Sequence, residues 1–169
     1  MAVAHDAPFA PNHLPDGYVR PPSGMVVKRT VPAVPAVPVR TGAPASADGG
    51  ALRNIDGPNE VCGTSKLQKT SGMGKTTLVM TVSKAVSAEL SSEAKVDAEV
   101  VSASLGFKVT ETTTVEDQTR FEVPAEKFGV IEVYPLYDQY TFNVYDGGRN
   151  RGSGWAMKPT GVCFHQYTE

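Results

Sequence analysis

At 169 residues with a net charge of −2, the chain allows one ordinary domain, or a smaller one with a long tail. Neither half carries a strong excess of one sign, so the basic stripe that neutralises phosphates is missing and a nucleic-acid partner is not expected. No apolar run approaches the ~20 residues that cross a bilayer as a helix, so a membrane partner is not expected either.

Composition divides the chain. Ten of the thirteen prolines precede residue 60, and eleven of the thirteen aromatic residues follow residue 106. A proline-rich stretch short of aromatics buries too little apolar surface to offset the entropy of ordering it. The expectation is an extended arm over residues 1–58 and a β domain over residues 59–169. Met1 to Pro15 has neither a basic nor an apolar region of the kind a signal peptide needs. Ala2-Val3-Ala4 resembles a small-residue cleavage site, which suggests a chain whose export signal has been removed.

Within the arm, prolines 32, 35 and 38 recur at the three-residue turn of polyproline II, and Val31, Val34 and Val37 form a second ridge. From Val26 and Val27, through Lys28 and Arg29, to Arg40, such a piece would reach on the order of 45 Å. It reads as a stiff spacer or as a docking peptide. The valine ridge favours docking, because an extended segment with little entropy left to lose suits a groove or a sheet edge. The stretch from Thr41 to Gly50 reads as linker.

Cys62 and Cys163 stand at opposite ends of the expected domain. They are two buried thiols or one disulfide joining the first strand to the last, and the disulfide is the expectation carried forward. They are too far apart for a redox or zinc pair, and no metal or cofactor is expected. A bridge implies an oxidising compartment, hence a secreted protein.

Apolar residues alternate from Leu78 to Val100, and the phase flips at Val100-Val101 to continue through Val109. That pattern predicts strands with a one-residue slip and a bend near Ser91-Ser92. A helix over Ser83–Val100 competes, because Val82, Val86, Leu90, Ala94 and Ala98 are four apart. Strands follow at 112–115, 119–123, 130–134 and 140–145, with a hairpin turn at Asp146-Gly147-Gly148 and closing strands at 155–158 and 162–164. The fold class expected is mainly β: a small antiparallel β sandwich-like domain preceded by the arm.

Ser71-Gly72-Met73-Gly74-Lys75-Thr76-Thr77 contains Gly-Lys-Thr but is no phosphate loop. Lys69 stands where the first glycine belongs, and the preceding residues are too polar for a buried strand. The histidines are His5, His13 and His165, and only His165 sits where the domain could position it, so no catalytic residue is expected. Tyr134, Tyr137, Tyr140 and Trp155 are dense; half or more suit packing, and the others suit a contact surface.

The run from Thr81 to Thr110, with Glu122-Val123-Pro124-Ala125, Tyr134-Pro135-Leu136-Tyr137-Asp138 and Lys158-Pro159-Thr160-Gly161-Val162-Cys163-Phe164, is similar to small secreted actinobacterial β proteins. Over residues 60–169, with an arm of the same kind ahead of it, the chain resembles the adaptor subunits of Streptomyces umbrella toxin particles. The resemblance implies a non-enzymatic subunit of an antibacterial toxin complex. Its domain would sit on repeats of a large toxin polypeptide, and its arm would enter the cleft of a lectin subunit with a trypsin-like fold. Arg20, Lys28, Arg29 and Arg40 are the basic residues available to such a cleft.

Two other functions fit the residues. A β-pore former would use the Ser/Thr alternation, with Glu89, Glu93, Lys95, Asp97 and Glu99 lining a lumen. A protease inhibitor would present Lys28 or Arg29.

Overall fold

One long hairpin organises the molecule: strand β8 (Phe128–Asp146) and strand β9 (Arg149–Thr168), paired along their whole length. The computed structural model describes residues 14–30 and 51–169. The turn falls at the expected glycines, Gly147 at φ 62° and Gly148 at φ 77°, the two left-handed positions a tight hairpin requires. Both strands are buried along most of their middle, polar residues included, because both faces are covered. Ile131, Val133 and Tyr137 face one core cluster, and Tyr140, Phe142 and Val144 face another. A register shift beside Leu136 and Tyr137 leaves Thr160 as an extra residue in β9. It reverses the alternation, so Met157 before it and Val162 and Phe164 after it point to the same cluster.

The remaining strands dress this hairpin. Strands β3 (Ala51–Gly63) and β4 (Gln68–Met73) share the free edge of β8. Strands β2 (Val26–Arg29) and β6 (Glu89–Ser92) share that of β9, and β1 (Tyr18–Val19) pairs with β3. Gly161 lets β2 lie close to β9, because a Cβ there would stand 2.2 Å from the Lys28 carbonyl oxygen. A second, two-stranded sheet of β5 (Thr76–Ser87) and β7 (Thr112–Val123) packs Leu78, Met80, Val82, Val86, Val115 and Val123 onto the first cluster. The opposite face is covered by helix α1 (Ala98–Leu105), which sets Val101 and Leu105 against Tyr140 and Phe142. The protein is mainly β, with antiparallel sheets packed face to face.

Two expectations change. The run beginning at Leu78 is not one slipped strand, nor a helix over 83–100. Strand β5 turns a corner at Ala88 into β6, which ends at Ser92 beside the expected bend, and residues 98–105 are helical. The paired valines that imitate a register slip are the buried side of α1, and Gly106 at φ 87° ends the helix with its N–H on the Ser102 carbonyl. The domain also starts earlier than residue 59. β1, β2 and residues 51–58 of β3 all pair within the large sheet, so Val26, Val27, Lys28 and Arg29 belong to a strand and not to a free arm.

Candidate interaction site

The chemistry-bearing side chains gather where the large sheet curls. Cys62 on β3 and Cys163 on β9 flank β8 from opposite sides, yet their Cα atoms are 6.2 Å apart. Two interstrand spacings in a flat sheet would be roughly 9.5 Å. The sheet therefore bends toward the face that carries the disulfide. Residues 20–25 cross this hollow as a strap from β1 on one edge to β2 on the other. The Sδ of Met25 lies 3.6 Å from the Sγ of Cys62, so the strap rests directly on the bridge.

Arg29 closes the hollow. From β2 its guanidinium donates to both carboxylate oxygens of Asp138 on β8, at 3.1 and 2.9 Å, and to Glu60 on β3 at 2.7 Å. The Asp138 side chain is only 2% exposed. Its hydrogen bond, ahead of the opposing effect of burial, raises the Arg29 pKa from its ordinary value. Lys28 points to the other face, where its Nζ donates to the Gln118 carbonyl at 2.5 Å and lies over the Phe164 ring. Thr30 is anchored by its own N–H to the Thr160 carbonyl at 2.8 Å.

Beneath the strap lies a cleft of about 460 Å³, lined by Val19, Pro22, Met25, Cys62, Tyr134 and His165. At its rim Glu132 receives Lys66 Nζ at 2.9 Å on one oxygen and the Tyr134 hydroxyl at 3.0 Å on the other, with His165 Nδ1 at 3.6 Å. The Lys66 hydrogen bond, more than the Tyr134 one, holds the Glu132 pKa below the usual carboxylate range, against the opposing effect of burial. Burial first, then the bond to Glu132, raises that of Tyr134. Both carboxylate oxygens are thus occupied, an arrangement that fixes the side chains rather than leaving a free base.

The aromatic residues separate. Tyr140 is 1% exposed and packs on Phe107, and Tyr137 is 7% exposed, so both are core residues and not a contact surface. Tyr134 and Trp155 are half-buried. Tyr18 meets Tyr137 and Trp155 edge-on, with ring centroids 5.3 and 5.5 Å away. The sequence carried one signal for this: Tyr18 is an aromatic residue inside a proline-rich stretch. Nothing comparable marked Thr30 or Asp138.

Arg20 is exposed, whereas Val26, Val27, Lys28 and Arg29 are half-buried in β2. Val31, Val34, Val37 and Arg40 lie outside the described residues. They belong to the connection 31–50 between two fixed ends, Thr30 and Ala51, the latter paired with Tyr145. Leu136, level with Arg29 through Gly161, and Tyr145 are nine residues apart on β8, roughly 30 Å along the strand. Among the described residues no group of three or more His, Cys, Asp or Glu side chains is placed to hold a metal ion. None of their helices is long and apolar enough to cross a membrane. No protein-family model matches the chain, and no curated protein matches it.

Proposed function

We propose that the protein is a secreted, non-enzymatic adaptor that joins two larger proteins, one through the Val31–Arg40 segment and the other through the β domain. The observation that carries this reading is the anchoring of that segment. Thr30 is bonded to β9 and β7, Ala51 is paired to β8, and the sheet between them is covalently bridged. The 31–50 connection that contains this segment is held at both ends, so it passes a pull into the whole domain, which is what a connector must do. With Lys28 and Arg29 engaged inside the fold, Arg40 and the valine ridge are the residues left for a partner's groove, with the exposed Arg20 at the start of the strap.

The resemblance to the umbrella toxin adaptors names the partners: a lectin subunit with a trypsin-like fold for the segment, and repeats of a large toxin polypeptide for the domain, in an antibacterial complex. A disulfide is compatible with an extracellular location. The test replaces residues 31–40 by a Gly/Ser sequence of equal length and recovers partners from the native secretome. Loss of one partner with retention of the other is expected, and a variant that keeps both would overturn the reading. The pore reading is less favoured, because the apolar side of β5 is spent on the core; dye release from liposomes would restore it.

A further inference from the structure

The second sheet has two edges, and they are not alike. On β7 the outward backbone groups of Glu116 are taken by the Thr30 hydroxyl, and the outward carbonyl of Gln118 by Lys28. These bonds fix the phase of the ribbon. Glu116 faces Ser83 and Gln118 faces Thr81, so both are non-hydrogen-bonded pairs, and the partners on β5 also turn their backbone groups outward. The Thr81 carbonyl duly meets the Gln68 side chain at 3.3 Å. By the same period Ser83 and Ala85 present N–H and C=O to the free edge, and among the described residues nothing bonds them there.

Lys84 sits between them. It is opposite Val115, on the phase of β5 that elsewhere carries the buried Met80, Val82 and Val86, yet it is exposed. Its side chain must therefore leave over the open edge. An inward-phase lysine is a known guard on edge strands, because a second identical strand brings a like charge across from it. The edge is thus closed to a second copy of this chain and open to a strand of opposite charge.

The geometry points to the β5 edge at Ser83–Ala85 as a docking site for an extended segment of a partner protein that carries an acidic residue opposite Lys84. Main-chain hydrogen bonds to Ser83 and Ala85 supply the affinity, and the Lys84 pair selects the segment. The site rests on the adaptor reading only in taking the partner to be a protein.

The probe is a capped peptide of alternating Thr and Val with one central Glu, N-methylated along one edge so that it cannot stack on itself. In heteronuclear spectra of the full chain it should shift and protect the amides of Ser83 and Ala85. The same peptide with Lys in place of Glu should bind roughly threefold to tenfold more weakly. Lys84→Glu should invert that order. Ala85→Pro should abolish binding while leaving the β5–β7 ladder intact, since the lost N–H lies outside it. Unmoved Ser83 and Ala85 amides, an order indifferent to Lys84→Glu, or a dimer of the protein through this edge would each overturn the proposal. Neither variant touches the 31–40 segment, so its partner should be retained, and failure here is distinguishable from failure of the adaptor reading.

Discussion

Thr30, directly after β2, and Glu116 on β7 hold one another twice: the Thr30 hydroxyl donates to the Glu116 carbonyl at 2.7 Å and accepts the Glu116 N–H at 2.9 Å. One side chain does what a bridging strand residue would do, and it ties β2 to the second sheet at the point where the 31–50 connection begins. Thr30→Val keeps the shape and removes both bonds. It should cost about 1 kcal/mol, and amide exchange at Glu116 should speed up while that of Val115 stays slow.

Arg29 and Asp138 form a pair in which the carboxylate is buried and the guanidinium half-buried, so what replaces them matters more than their absence. Arg29→Ala strands a nearly inaccessible carboxylate and should destabilise by about 3–5 kcal/mol in urea titrations. Arg29→Met with Asp138→Leu removes both charges and should lose much less. Equal losses in the two variants would mean that the guanidinium acts through Glu60 alone.

The bridge between Cys62 and Cys163 closes a separation of 101 residues. Non-reducing mass spectrometry should find that single crosslink. Replacing both cysteines by alanine should lower stability by about 2–5 kcal/mol. The strap should loosen first, visible as faster exchange at the Met25 amide, because Met25 rests on the sulfur.

Burial pushes the phenols of Tyr137 and Tyr140 up to about 12 from an ordinary 10.0. A folded-state value above the unfolded one contributes stability that is complete below the unfolded value and is lost as pH rises toward the folded one. Stability should therefore fall between about pH 10 and 12. Tyr140→Phe should flatten that fall. A near-ultraviolet titration should show two phenolates appearing late, with unfolding; early ionisation of all six tyrosines would contradict their burial.

The sequence disclosed those parts of the fold whose local chemistry and tertiary setting agree. The Gly147-Gly148 turn and parts of β8 and β9 were legible from β-branched and aromatic runs beside a glycine pair, but each strand reads as two pieces in the sequence, and the structure runs them together through residues 135–139 and 159–161. The cysteine pairing was legible because the two residues stand at opposite ends of the expected domain. Residues 98–105 were not: Ala, Val, Ser and Glu fit either period, and the core face that α1 covers decides the matter. Strand β2 was hidden for a related reason. Val26 to Arg29 adjoin a polyproline pattern, and only the cystine under Met25 and Val27 and the carboxylates beneath Arg29 make a strand of them. The tyrosines mark the same boundary for the candidate site. Tyr134 and Tyr140 share a face of β8, but α1 seals one while the strap half-covers the other, and neither cover can be read from the tyrosines themselves.

The covalent topology of the strap has a further consequence. The disulfide encloses residues 62–163, so nothing covalent beyond the backbone of 31–50 joins β1 and β2 to the rest of the protein. A single proteolytic cut between Thr30 and Ala51 would make everything up to Thr30 a separate peptide. Among the described residues that peptide would be retained by its strand pairings, the Arg29 contacts, the Lys28 and Thr30 bonds to β7, the backbone bonds of Gly17 to Thr64 and of Thr30 to Thr160, and the packing of Leu14, Tyr18, Met25, Val26 and Val27. What was an intramolecular strand would become an exchangeable ligand of its own domain, and any partner holding the cut end would carry two strands away with it.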